Sequence, residues 1–478
     1  MPELPGLYMN FVAAGGNAIK PGARGIVVAA VKAHWGPVGQ FIEVSDEAAV
    51  KEMYSEDETG GATAFTTLYL ALLGGPKTLL AYRIASDTAA VATVTLNNTV
   101  TPTAAAALKI SAKYPGERGN NFNVTVQSNI VDPTSKELKL YEGTKLLKIF
   151  AIGNGDIESV VQAINEDAGN KWIVATKVAE GTVADASGKV FAGGDSGIAD
   201  VANADYIAAT TAFEGQEFHV LTLDGITDPA LRTSVVAWVK RVRSEGKGIV
   251  ATLGGSKVDD TGADAVSTTV TRSSAFNFEG IINVGSGGFL ADKEYSSAQV
   301  AAWVAGLIAG QSLSQSTTYA ESPFDDVTRR WTRSEQEKAI RGGVFLLIHD
   351  GRRVKVLRGM NSLVTLQIGQ NSSWKKIRTI RVMDAINGDL QRTTDDVYIG
   401  KVNNTAEGRL ALIGAGKEYM RTLAQSNVIE ATGYDVILDP DYYGSAPAIK
   451  PEPDQVFLGW TARITDVMEK IFGTFYVQ

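Results

Sequence analysis

Short apolar runs alternate with helical patterns in the first ninety residues and again in the middle of the chain. Ile26–Val31 is a continuous apolar run, which predicts a strand buried on both faces, and Trp35-Gly36-Pro37 closes it as a turn. Ser45–Tyr54, opened by a capping serine, and Ala62–Leu73 read as helices, and Thr78–Ile84 as a strand. The alternation resumes with strands at Phe218–Leu223, Ile249–Leu253 and Gly280–Val284 and helices at Ala230–Ser244 and Ser297–Ala309. Units of this kind predict an α/β domain around a mostly parallel sheet.

Between these halves the period changes to two. From about Ser86 the chain turns to Thr, Val and Asn, with short alternating runs at Val91–Leu96, Leu108–Ile110, Phe122–Val126, Leu138–Leu140 and Leu146–Ile152. One helical pattern lies near Ile157–Ile164, and Phe191-Ala-Gly-Gly-Asp-Ser-Gly197 closes the stretch. A β-rich domain is therefore predicted at 86–195, inserted into an α/β domain made of 21–85 and 196–340.

From Arg341 the pattern changes again. Asp350-Gly351 between two apolar-bearing runs predicts a two-residue hairpin with positive φ at both positions. Two helices follow within Ser373–Glu430. In the second, Ala406, Leu410, Ile413, Met420 and Leu423 form one stripe, started by an Asn404 cap three residues before Glu407. Val456–Leu458 and Thr474–Val477 read as terminal strands, the latter carried by a Pro/Gly-rich linker at Tyr442–Pro453. At the other end, residues 1–20 hold Pro2, Pro5 and Gly15-Gly16 around Leu7, Tyr8, Met9, Phe11 and Val12. An extended arm and a frayed terminus are both open, but five large apolar residues in six positions call for a cover. The fold class expected is α+β multidomain: an α/β core with a β-rich insertion and a C-terminal α+β domain (341–478), with extended arms at both ends.

Composition narrows the function classes. With 478 residues, 44% hydrophobic and 21% charged, two or three domains are expected. The absence of cysteine excludes disulfides, thiolate metal sites and a thiol nucleophile. MPELPGLYMNF has neither the basic start nor the apolar core of a secretory signal, and no apolar run is long enough to span a bilayer, so a soluble protein is expected. A net charge of −8 argues against general nucleic-acid binding. It is unevenly spread: Arg329–Arg381 holds 13 Lys+Arg against 3 Asp+Glu, an excess of +10 that leaves −18 for the rest.

Candidate chemistry is sparse. Gly194-Asp-Ser196-Gly197 spells a protease-like nucleophile turn, but Ser196 needs a histidine and an acid, and only His34, His219 and His349 exist. Gly285-Ser-Gly-Gly288 after a strand could cradle a phosphate, yet it lacks the spacing and the lysine of nucleotide-binding loops. No histidine has metal-ligand spacing, and the pairs Asp259-Asp260, Asp325-Asp326 and Asp395-Asp396 read as solvated loops. No catalytic, cofactor or metal residue is assigned. The basic window differs in kind. Arg352, Arg353, Lys355 and Arg358 flank the hairpin, and Lys375, Arg378 and Arg381 recur every third residue on the first C-terminal helix. Like charges at that spacing repel, which an acidic partner surface would relieve; a solvated face is the alternative.

Several stretches, in order, resemble contractile tail sheath proteins of bacteriophages and prophages: PGLY and GARGIV near the start, YPGERGNN in the insertion, GLIAG followed by TYAE in the middle, and YIGKVNN near the end. The resemblance implies a non-enzymatic subunit that stacks as hexameric rings around a tail tube and contracts to drive the tube through the host envelope. It implies a C-terminal domain facing the tube, with Arg353, Lys355, Lys375, Arg378 and Arg381 as contact candidates, and the insertion on the outer surface. It further implies that the arms donate strands to neighbouring subunits, through Leu7, Tyr8, Phe11 and Val12 at one end and Phe475 and Val477 at the other. The implied partners are the chain itself, a tube protein, and baseplate and tail terminator proteins, with no cofactor, nucleic acid or membrane insertion. The implied location is the virion tail, after assembly in the host cytoplasm. A non-contractile shell or tubule subunit is the alternative, and a hydrolase or nucleotide-binding enzyme a remoter one.

Overall fold

A computed structural model describes residues 19, 22, 24–100, 104–447 and 449–477. Leu7, Tyr8, Phe11 and Val12 lie outside the described residues. The centre of the molecule is a seven-stranded sheet in the order Val344–Phe345, Ile281–Val284, Val250–Leu253, Val220–Thr222, Ile26–Val31, Thr78–Arg83 and Phe41–Glu43. All neighbours run parallel except the last pair. The apolar run Ile26–Val31 is explained by its place in the middle. Val27, Ala29 and Val31 face a core covered by the helices Ala64–Leu73 and Ser297–Gly310. Val28 and Ala30 face the opposite core, covered by Asn203–Phe213 and Pro229–Ser244. A strand covered on both faces cannot alternate. Where the first two helices cross, a β-carbon at Gly306 would lie 2.0 Å from the Ala71 carbonyl oxygen, so only glycine permits the approach.

The expected insertion is present as two antiparallel sheets. Thr93–Asn97, Ala106–Ala112 and Ile173–Lys177 form one, and Ala186–Val190, Phe122–Ser128, Lys136–Glu142 and Lys145–Ala151 the other, with the helix Ile157–Asn165 beside them. Their inner faces share a core that includes Leu108, Ile110, Phe122, Val124, Leu138 and Phe150. The strands at 173–177 and 186–190, the edge strand 41–43, and the helices Asn203–Phe213, Ala265–Phe276 and Arg333–Arg341 are additional to the sequence reading. Polar or alanine-rich sequences give these elements little apolar period, and neighbouring elements supply the packing instead.

The C-terminal part contains the helix Ile377–Thr393, a π turn at Thr394–Tyr398, the helix Ala406–Gln425, and a hairpin of Asp435–Leu438 with Leu458–Thr461. Several readings change here. The central sheet takes in Val344–Phe345, just past the boundary set at 340. The hairpin at Asp350-Gly351 has four connecting residues between Leu347–His349 and Val354–Val356, and only Gly351 has positive φ. Asp350 is captured instead: its carboxylate accepts the amides of Arg352 and Arg353 at 3.0 and 3.1 Å and pairs with Lys355 at 2.8 Å. The stripe of the second helix is rotated: Leu410 is 65% exposed, while Ala415, Gly416, Tyr419, Met420 and Leu423 are buried. Thr405, not Asn404, caps that helix by accepting from the Gly408 amide; Asn404 instead donates to the carbonyls of Pro453 and Gln455. The last strand lies at 458–461, slightly beyond Val456–Leu458, and residues 474–477 form no strand within the chain.

Candidate assembly surfaces

The positions that could carry chemistry are already committed to the fold. His34 donates from Nε2 to the Thr59 carbonyl at 2.9 Å, which leaves Nδ1 to accept from the Ser196 hydroxyl at 2.7 Å. That is the contact a serine nucleophile requires, but Ser196 is 1% exposed and its oxygen also accepts the Glu117 amide at 3.0 Å. No substrate reaches it. The pair pins the seam between central domain and insertion, together with Arg83, which is fully buried and donates to the carbonyls of Gly36, Pro115 and Ser196. Burial lowers the Arg83 pKa to about 10, still well above neutrality. Trp35 reaches across the same seam and stands edge-on to Tyr114 and Phe122 at 5.3 and 5.2 Å.

The ligand position of an open α/β sheet lies beyond the carboxyl ends of the strands, where the strand order reverses. Here that point lies between Ile26–Val31 and Val220–Thr222. It is filled by Asp224, which accepts from the Tyr206 hydroxyl at 2.9 Å and the Thr63 hydroxyl at 2.8 Å and faces Lys32 at 3.5 Å. In the glycine run after Ile281–Val284, the Ser286 hydroxyl bonds both the amide and the carbonyl of Leu347, and a β-carbon at Gly285 would meet Val344 and Thr269. Neither place can take a nucleotide. Among the described residues no group of three or more His, Asp or Glu could hold a metal ion. Burial holds the His219 pKa below its ordinary value, and His349 Nδ1 accepts the Gly351 amide.

Asp259-Asp260 is not a solvated loop. Asp260 is buried and accepts from the amide and hydroxyl of Ser297 at 2.6 and 2.5 Å. Burial pushes its pKa up to about 6, against the pull of the Ser297 hydrogen bonds and Arg272.

The expected free basic stripe is also corrected. Lys375 donates to the Val364 carbonyl at 2.6 Å, and Arg381 to the Gln311 carbonyl at 2.6 Å. Arg378 is buried and donates to the Asn427 carbonyl and the Thr465 hydroxyl. The helix carries these residues because it lies in the joint between two domains: Ile377 and Ile380 pack into the central core, and Val382 into the C-terminal one. The same joint holds Arg243–Asp384 and Arg24–Asp389 ion pairs, with Tyr419 donating to Asp389 at 2.6 Å. The hairpin cations differ. Arg352 and Arg353 are exposed, Arg353 paired with Glu321, while Lys355 lies 4.2 Å from the centre of the Tyr319 ring.

Part of the acidic surface that relieves the basic window is the chain's own tail. Glu469 pairs with Arg358 at 2.7 Å and Lys376 at 3.0 Å, and Asp466 pairs with Lys376. Asp466 and Glu469 were legible only as the last acidic residues of an acidic remainder facing a basic window. After Glu469 the segment turns apolar with no cover: Ile471, Phe472, Phe475, Tyr476 and Val477 are all at least 83% exposed. That density of bare aromatic and aliphatic side chains marks a contact surface. Asp435–Leu438 and Leu458–Thr461 pair only with each other among the described residues, so the small C-terminal sheet has open edges.

Comparison with known proteins gives a consistent result over most of the chain. Three family models match: the phage tail sheath protein β-sandwich domain over residues 85–196, the phage tail sheath protein central domain over 199–362, and the phage tail sheath C-terminal domain over 369–478. The phage-like element PBSX protein XkdK of Bacillus subtilis is 27% identical over 409 residues, covering 82% of this chain and 79% of the relative. The tail sheath protein of Clostridium phage phiCD119 is 26% identical over 220 residues, 46% of this chain and 56% of the relative. Among solved structures, the sheath tail protein of Desulfitobacterium hafniense superposes with a TM-score of 0.69 at 26% identity, covering 96% of this chain and all of that one. The helical sheath of the anti-feeding prophage in its contracted state shares the fold, with a TM-score of 0.55 at 12% identity over 100% of this chain and 99% of that one.

Proposed function

The chain belongs to the phage tail sheath family, whose members are structural subunits and not enzymes, and from that premise we propose how this subunit assembles and acts. It is a subunit of a contractile tail sheath, a component of the phage tail. Copies assemble in the host cytoplasm into stacked six-membered rings around a tail tube, held between a baseplate and a tail terminator. On a baseplate signal the cylinder shortens and widens, driving the tube through the host envelope. The insertion, anchored to one side of the central domain, forms the outer wall.

The observation that carries this reading is the apolar segment Ile471–Val477, which is uncovered in the single chain. A second copy supplies its cover. Phe475 and Val477 lie two residues apart, on the same face of an extended strand, and pair with the open edge of a neighbour's small C-terminal sheet. Each backbone hydrogen bond so formed contributes about 0.5–1.5 kcal/mol, and the gains accumulate along the polymer. Leu7, Tyr8, Phe11 and Val12 have the composition for the same role at the other end. The tube-facing contact falls to the hairpin cations Arg352, Arg353 and Lys355. Lys375, Arg378 and Arg381 support that surface from inside the joint.

Electron microscopy of the chain co-produced with its tube protein tests the reading. Wild type forms wide hollow cylinders, and a variant ending at Glu469 stays folded but forms none. Reversing charge at Arg352 and Arg353 uncouples the cylinders from the tube and leaves the fold unchanged. Normal cylinders from the truncated chain would refute the strand-donor role.

A further inference from the structure

The C-terminal segment leaves its domain through two successive fastenings of different kinds. The inner one at Thr465 is a set of short-range hydrogen bonds. The Thr465 amide donates to the Val428 carbonyl at 3.1 Å, its hydroxyl to the Asn427 carbonyl at 2.6 Å, and the Glu430 amide to the Arg463 carbonyl at 2.8 Å. An isolated bridge between Ile429 and Ile464 continues the small sheet there. The outer fastening, four residues on, is ionic. The Glu469 carboxylate, 9% exposed, receives Arg358 through Nη2 at 2.7 Å and Nε at 2.9 Å, Lys376 at 3.0 Å and the Thr318 hydroxyl at 2.9 Å. Between the two, Met468 is 90% exposed and Val467 is half-buried, so little apolar packing links them. Beyond Glu469 nothing is buried as far as Val477.

We propose that Glu469 in its socket of Arg358, Lys376 and Thr318 is a releasable fastening, which lets the C-terminal arm change its working length while Thr465 keeps it attached. The inference rests on the strand-donor reading above. Closed, the two-pronged arginine contact fixes where the arm leaves and in which direction. Open, the charges pass to water and counterions, and the only apolar surface uncovered is that of the half-buried Val467. An extended chain spans about 3.3 Å per residue, so the eight residues 470–477 reach about 26 Å, and release back to Thr465, which also parts Asp466 from Lys376, adds about 13 Å. A subunit whose neighbour moves away during shortening can therefore remain strand-paired to it.

Because the chain has no cysteine, thiols can be introduced without side reactions. With spin labels at Tyr476→Cys and Ala237→Cys in the full chain, the Asp466→Asn/Glu469→Ala variant, which removes both acidic partners of Lys376, should show a broadened distance distribution whose far edge moves outward by about 13 Å. An unchanged distribution overturns the socket as the root of the arm. In assembled tails, a Thr318→Cys/Glu469→Cys pair joined by a short reducible thiol crosslinker should hold cylinders at their starting length until reductant cuts the bridge. Crosslinked cylinders that shorten as fully as uncrosslinked ones overturn the release step. If uncrosslinked wild-type cylinders do not shorten, the contractile reading itself fails, and the inference with it.

Discussion

Arg243 and Asp384 meet through two parallel hydrogen bonds, 2.7 and 2.8 Å long, and that fork joins the central helix Pro229–Ser244 to the first C-terminal helix. Close approach is possible because a β-carbon at Gly248, in the loop before the strand Val250–Leu253, would sit 2.5 Å from the Asp384 β-carbon, and glycine has none. Both side chains are largely buried, and removing Arg243 leaves the Asp384 carboxylate without its hydrogen-bonded partner, with only the more distant Arg381 nearby. Arg243→Ala is therefore expected to lower unfolding free energy by about 3 kcal/mol in urea titrations, and the Arg243→Leu/Asp384→Leu double variant by clearly less. Equal losses in the two variants would show that the fork is not what holds the joint.

At the other seam, the fully buried Arg83 holds three backbone carbonyls, those of Gly36 and Ser196 within the interior and that of Pro115 at its edge. Arg83→Ala strands all three, and a loss of about 3–5 kcal/mol is expected. Hydrogen exchange should rise at the amides of 116–117 and 192–197 before it rises in the central sheet. Uniform exchange across the chain would contradict the seam role.

Ser196 and His34 stand at hydrogen-bond distance, as a nucleophile and its base do, yet their expected effect is structural. Ser196→Ala should cost about 1–3 kcal/mol, since the His34 ring and the Glu117 amide both lose a partner. Turnover of activated esters by the purified chain should be the same with and without the serine hydroxyl. A hydroxyl-dependent rate would reopen the hydrolase reading.

Asp260 makes stability depend on pH in a defined direction. Its pKa is raised to about 6 in the folded chain from an ordinary aspartate value of 3.8, so the folded state binds the proton more tightly than the unfolded one. The cost of the buried charge is present above pH 6 and disappears as pH falls from 6 towards 4. The stability of wild type minus that of Asp260→Asn should therefore grow on acidification across that window, by roughly 2–3 kcal/mol in all. A difference that is flat between pH 4 and 7 would show that Asp260 does not titrate there.

By itself the sequence determined the local elements whose apolar period is unambiguous and the order of the domains. Ile26–Val31, short and closed by a Trp-Gly-Pro turn, read as a strand covered on both faces, and the change to period two near Ser86 read as a separate β-rich unit. The ordered motifs from PGLY to YIGKVNN also carried the family. Tertiary structure decided which charges are free. Arg378 and Arg381 read as an exposed stripe facing an acidic partner because sequence spacing gives the face of a helix but not what that face meets. What they meet is a tail some ninety residues further on at Thr465 and a turn seventy residues earlier at Gln311. The same limit rotated the stripe of Ala406–Gln425: Leu410 fits the period but lies beyond the end of the core that Tyr419 and Met420 fill. Burial of Asp260, the Ser196–His34 contact and the Glu469 socket all join residues far apart along the chain. Local propensity and periodicity fall off within a few turns, so only the packed molecule could specify such pairs.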